Sequence, residues 1–129
     1  MEGFPDPMEG TVFYEDHLIY ACLAFESKSR GHTIIACKNK TGDLSDLSIR
    51  DYYHLMFMVR YIRQVLKGVL RAESVYIMYL NEGDINVHFH LIPRTKGEEE
   101  GVALLAKIGE KLKDVSLAGR LRFALQGGW

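Results

Sequence analysis

At 129 residues the chain has the size of one domain, long enough to bury a core without disulfides or metals. Sixteen Lys and Arg against seventeen Asp and Glu leave no charge excess of the kind that marks a nucleic-acid or membrane-surface partner. Its two cysteines, Cys22 and Cys37, lie in apolar segments far from any Cys-x-x-Cys spacing. They read as small core residues of a reducing compartment. No apolar run approaches the about 20 residues that span a bilayer, and the first residues lack the basic and apolar regions of a secretory signal. The expected location is the cytoplasm.

Residues 1–10 hold Pro5, Pro7, Gly3 and Gly10 and are expected to form a flexible lead-in. Two strands follow, Thr11 to Tyr14 and Leu18 to Phe25, around the polar turn Glu15-Asp16-His17. After the loop Glu26 to Gly31 comes a third strand, His32 to Cys37. Tyr52, Leu55, Met56, Val59, Ile62, Leu66 and Val69 then recur at helical spacing, and Ser48 followed by Asp51 resembles a capping box at the start. Glu73 to Leu80 and Asn86 to Ile92 return as strands around the turn-forming Asn81-Glu82-Gly83-Asp84. A second helix is expected over about 98–114, because Glu98, Glu99 and Glu100 at one end and Lys107, Lys111 and Lys113 at the other suit a helix dipole. Residues 116–129 read as a C-terminal tail. The order β-β-β-α-β-β-α implies an α+β domain over 11–115, with helices on a mainly antiparallel sheet.

The segment from Asn86 to Arg94 carries the chemistry. Strand periodicity puts Asn86, His88 and His90 on one face and Val87, Phe89 and Leu91 on the other. Paired imidazoles titrate near neutrality, so they serve as nucleophile, acid or base, or as metal ligands, and the bare pattern does not choose among these. His17 in a turn and His54 on a helix are expected at the surface.

His88-Phe89-His90-Leu91-Ile92-Pro93-Arg94 resembles the signature of the histidine-triad (HIT) family, in which three histidines alternate with apolar residues and Pro-Arg often follows. Arg30-Gly31-His32-Thr33-Ile34-Ile35 is similar to the family's Gly-His strand opening, Val12 to Asp16 to its first strand, and Asp43 to Ser48 to the lead into its long helix. The resemblance covers residues 11 to 95. It implies a five-stranded antiparallel sheet with two helices, usually paired as a homodimer, and points to the diadenosine-polyphosphate-hydrolase-like branch. The activity it implies is transfer or hydrolysis of a nucleotide at its α-phosphorus, through a covalent nucleotidyl-histidine. His88 is then the nucleophile, and His90 binds the non-bridging phosphate oxygens. No metal is required, although magnesium travels with a polyphosphate substrate.

Asn86 stands where most family members carry the first histidine. It can replace that residue's hydrogen bond but not its titratable ring. His32 reads either as a support to the triad or as a half-exposed strand residue, and Glu26 as a ribose ligand or a solvated loop carboxylate. Phe13, Leu23 and Ile34 line a base pocket or belong to the core; Arg94 binds phosphate or caps the strand. Two other functions stay open: a nucleotide-binding sensor without turnover, and a divalent-metal site on His88 and His90 with His32 or Glu26 as third ligand.

Overall fold

The computed structural model describes residues 7–39, 42–80 and 86–127. Seven strands and three helices follow in chain order: β1 (Val12–Glu15), β2 (Ile19–Leu23), β3 (Glu26–Ser27), β4 (Thr33–Cys37), α1 (Ile49–Leu70), β5 (Ser74–Tyr79), β6 (His88–Arg94), α2 (Val102–Leu105), β7 (Glu110–Lys111) and α3 (Val115–Leu125). Five strands form one antiparallel sheet in the order β1-β2-β4-β6-β5, and β3 pairs with β7 in a separate two-stranded ladder. This is the α+β, five-stranded architecture expected from the sequence, with a third helix. The turn at 81–84 lies outside the described residues.

The first helix begins where the capping pattern places it, with the Ser48 hydroxyl accepting from the Asp51 backbone N–H. Leu55, Val59, Ile62 and Leu66 form its buried stripe. With Ile35, Phe89 and Leu91 from the sheet they make the main core, so β6 turns its odd-numbered residues toward the helices. Its even-numbered histidines are left for the opposite face, where Tyr20, Cys22, Ala24, Ile34 and Ala36 form a second, smaller cluster. The register sets Ile34 beside His90 and Ala36 beside His88.

The second long helix is displaced from its expected place. Residues 98–114 contain only the four-residue α2, followed by β7, and Val102 and Ile108 are exposed. Gly97 and Gly101 adopt positive φ there, a geometry that interrupts a helix. Charge at the ends suits a helix, but one buried residue, Leu104, does not anchor one of that length. The helix forms instead at α3, within the segment expected as a tail. Leu117, Ala118, Leu121 and Ala124 supply an apolar stripe, and Asp114 caps it by accepting from the Leu117 N–H. A fully buried leucine is worth about 1.5–3 kcal/mol, which is why α3 packs on α1 and β1 as part of the main core.

Of the lead-in, residues 7–10 are described, and Met8 is tied down by the Thr11 N–H and hydroxyl, both donating to its carbonyl. Both cysteines are free and buried, as the sequence suggests. Among the described residues, no helix is long and apolar enough to cross a membrane.

Candidate active site

Three imidazoles meet on the sheet face opposite the long helices. Ring centroids of His32 and His90 are 5.1 Å apart, and those of His88 and His90 are 5.2 Å apart with the rings at 71°. His88 and His90 arrive by strand alternation on β6. His32 arrives from the loop before β4, whose path is fixed by Gly31 at φ 88, where a side chain would meet Leu70 and Pro93.

The hydrogen bonds define where each proton sits. The Lys28 backbone N–H donates to His32 Nδ1 at 3.1 Å, so the His32 proton resides on Nε2. His32 Nε2 then donates to His90 Nδ1 at 2.8 Å, which leaves the His90 proton on its own Nε2. His88 Nδ1 lies 2.9 Å from the Asn86 carbonyl oxygen. A carbonyl only accepts, so His88 carries its proton on Nδ1 and its lone pair on Nε2. One imidazole thus offers a nitrogen lone pair beside another that offers an N–H.

Burial keeps the His32 and His90 rings neutral. It lowers the His32 pKa to about 3, aided by the neighbouring His90 and Lys28 charges, and that of His90 to about 4, aided by His88 and Lys28. Asn86 is buried, and its carboxamide donates to the Cys37 carbonyl at 2.8 Å and the Lys38 carbonyl at 3.3 Å. The side chain therefore pins the end of β4, while its backbone carbonyl orients His88.

Beside the histidines opens a cavity of roughly 570 Å³, of the size that takes a nucleotide-sized ligand. His32, His90, Ile34, Leu23 and Glu26 are on its wall. Leu23 also belongs to the main core. His88 is not on the wall; it is 4% exposed, its ring 5.2 Å from that of His90.

Two expected substrate contacts are not assembled. Phe13 is in the main core on the helix-covered side, and its neighbour Val12 packs against the cluster on the histidine face. Strand alternation places only one of the two there. Arg94, four residues beyond His90, donates from its two terminal nitrogens to Glu73 at 2.8 Å and Glu100 at 3.1 Å. Two carboxylates already occupy that guanidinium.

Sequence reasoning missed Lys28, Met8, Cys22, Ala24 and Gly109 on the cavity wall. Lys28 follows Glu26 by two residues in the same loop, a signal of charge near the Gly-His turn. Its ammonium now donates to the Lys107 carbonyl at 2.7 Å, across a gap of 79 residues. Gly109 reaches the cavity because β7 pairs with β3, and a Cβ there would lie 2.8 Å from the Glu26 carbonyl. No local pattern announces that approach.

Comparison with known proteins identifies relatives of the chain. The chain is 30% identical over 112 residues to an uncharacterized HIT-like protein of Methanocaldococcus jannaschii, covering 82% of this chain and 81% of that one. It is 28% identical over 127 residues to the asymmetrical bis(5'-nucleosyl)-tetraphosphatase of Schizosaccharomyces pombe, covering 92% and 70%. A match at 31% identity over 101 residues to the isocitrate dehydrogenase [NADP], chloroplastic/mitochondrial, of Arabidopsis thaliana spans 78% of this chain but 19% of that protein's length. Among solved structures, a hypothetical histidine triad nucleotide-binding protein of Sulfolobus tokodaii shares the fold with a TM-score of 0.75 at 19% identity, over 93% of this chain and 86% of that one. With the HIT domain family model matching residues 7–97, the chain belongs to the HIT family.

Proposed function

We propose that the protein is a nucleotide hydrolase or transferase acting at the α-phosphorus of a dinucleoside polyphosphate, a nucleoside phosphoramidate or a related conjugate. The observation that carries this reading is the tautomer of His88: its Nδ1–H donates to the Asn86 carbonyl, directing the Nε2 lone pair away from the backbone. In this reading Nε2 attacks the α-phosphorus, and the bond from phosphorus to the bridging oxygen or nitrogen breaks. The leaving group departs with the electron pair, and an amine leaving group takes its proton from solvent. Water then attacks the nucleotidyl-histidine, the N–P bond breaks, and the nucleoside monophosphate is released.

His90 Nε2–H donates to a non-bridging phosphate oxygen, with His32 holding the ring in that tautomer. Asn86 positions His88 through its backbone. Ile34 and Leu23, with Cys22 and Met8, face the nucleoside, and Glu26 takes the ribose hydroxyls. Lys28 offers a cation to the phosphates once its ammonium leaves the Lys107 carbonyl. Magnesium enters only as counter-ion of a polyphosphate substrate. Two free, buried cysteines fit a cytoplasmic setting. Exposed Ile49, Tyr53 and Phe57, spaced four apart on α1, offer a surface for a second copy, so a homodimer is the proposed assembly, checked by sedimentation.

The relative named as a tetraphosphatase supports the hydrolase reading. Two observations favour a sensor without turnover: Asn86 replaces a titratable ring, and His88 is off the cavity wall. Wild type and His88→Ala are incubated with diadenosine tetraphosphate and with an adenosine phosphoramidate, and adenosine monophosphate release is followed. Release by wild type alone supports nucleotidyl transfer through His88. Tight monophosphate binding without release from either substrate supports the sensor.

A further inference from the structure

The remaining two histidines form a second cluster, away from the nucleotide cavity. Asp16, in the turn between β1 and β2, places its Oδ2 2.6 Å from His54 Nε2 on α1, and its Oδ1 is 4.0 Å from His17 Nδ1. The two imidazoles stand 5.2 Å apart, centroid to centroid, at 33°. One ligand atom from each of the three residues falls within 4.8 Å of the other two. None of the three lines the cavity beside His90.

The carboxylate is fixed before any ligand arrives. Its Oδ1 accepts from the Leu18 and Ile19 backbone N–H groups at 2.8 and 2.9 Å, and its Oδ2 accepts from the Tyr14 hydroxyl at 2.7 Å. His54 is carried by a 22-residue helix that is packed into the main core. Two of the three donors are therefore held by the fold, while His17, 76% exposed, rotates without disturbing packing. An ion pair between turn and helix needs one imidazole. The second, brought against it by the turn, makes a donor set of two nitrogens and one oxygen with a side open to water.

We propose that Asp16, His17 and His54 form a binding site for a borderline divalent cation of the zinc type, separate from the nucleotide site. Two imidazoles and a carboxylate suit such an ion better than calcium or magnesium, which prefer all-oxygen shells. Bonds of about 2.0–2.2 Å in a tetrahedron set ligand atoms about 3.4 Å apart. The observed spread reaches that value by a rotation of His17 and a small outward shift of His54, the metal taking the place of the proton between Asp16 and His54. The fourth position is filled by water. The bound ion clamps the β1–β2 turn to α1 and stabilises the folded state by mass action.

The test is titration of the full-length protein with zinc chloride by calorimetry and with cobalt(II) chloride by visible absorption, in wild type, His17→Gln, His54→Gln and His90→Asn. His17 is exposed, so His17→Gln keeps the fold and reports on ligation alone. His90→Asn separates this site from any metal held by the other imidazoles. The expected result is one equivalent of zinc bound by wild type and by His90→Asn, at least tenfold weaker in His17→Gln and His54→Gln. Zinc is also expected to raise the melting temperature of wild type and not of His17→Gln. Equal zinc affinity in wild type and His17→Gln overturns the proposal, as does loss of all zinc binding in His90→Asn.

Discussion

The same side chain is placed in two opposite settings in this protein. His32, His88 and His90 lie against one another and bond to backbone groups on a mostly buried sheet face. His54 and His17 instead gather on Asp16 at the end of a turn. Burial on its own would raise the Asp16 pKa. It is outweighed by hydrogen bonds from Ile19, Tyr14, Leu18 and His54, which hold the carboxyl well below its usual range. One setting supplies imidazoles with defined tautomers; the other supplies a fixed anion with imidazoles around it. What distinguishes a candidate nucleophile from a candidate ligand is the partner, not the histidine.

The largest effect expected from breaking the first setting is on turnover. His88→Ala removes the lone pair at Nε2 and is expected to lower the rate of monophosphate release by about a thousandfold or more, while monophosphate affinity changes little. Single-turnover kinetics together with equilibrium binding check it. A variant that keeps most of its rate would remove His88 from the chemistry.

Stability in acid comes next. His32 and His90 have folded pKa values of about 3 and about 4, below the unfolded value near 6.5. Between those values the unfolded chain binds protons that the folded chain does not, so folding free energy is level above pH 7 and declines as pH falls. By pH 5 the loss is about 2 kcal/mol for each histidine. Asp16 adds a loss of the same sign, but only below about pH 4, where an unfolded aspartate protonates. Urea unfolding at pH 7, 6 and 5 checks the slope, and His32→Gln/His90→Asn is expected to flatten it. A flat profile in wild type would contradict the burial of the pair.

A smaller effect is expected from His32→Leu, which leaves His88 in place and removes the donor that sets the His90 tautomer. The expected loss in kcat is about tenfold, the worth of one hydrogen bond. The pH-rate profile should change along with it, because His90 is then released to either tautomer. A drop in kcat with an unchanged profile would make His32 a packing residue only.

How much of this was legible in the sequence follows from how local each determinant is. Alternation along β6 predicts that His88 and His90 share a face, and the structure seats both opposite the main core. Gly31-His32 marks a strand opening, and the positive φ of Gly31 explains why glycine stands there. Sequence could not show that Asn86 acts on His88 through its carbonyl, since that is a backbone contact. Nor could it show that residues 109–111 return to pair with Glu26 and Ser27, which closes the cavity by contacts more than 80 residues apart. The displaced helix is a different failure: end charges favoured 98–114, while the buried stripe from Leu117 to Ala124 decided the outcome. For Arg94 the sequence named a cation but not the two carboxylates that neutralise it.

The least effect is expected from His54→Gln, and it sharpens the contrast between the two settings. His54 contributes a single hydrogen bond to a carboxylate that keeps its bonds to Tyr14, Leu18 and Ile19 without it. Both partners are partly exposed, so solvent and salt screen the pair, and the expected cost is about 0.5–1 kcal/mol at neutral pH in the absence of metal. Urea unfolding of the metal-free variant measures it. The cost should shrink in high salt, because salt screens the charge of a partly exposed carboxylate. In the buried cluster the equivalent measurement should be insensitive to salt, since neutral imidazoles joined by an N–H···N bond carry no net charge to screen. If the His54→Gln cost exceeds about 2 kcal/mol and ignores salt, the pair is part of the protein's interior, and the division between a buried neutral cluster and an exposed charged one no longer describes this molecule.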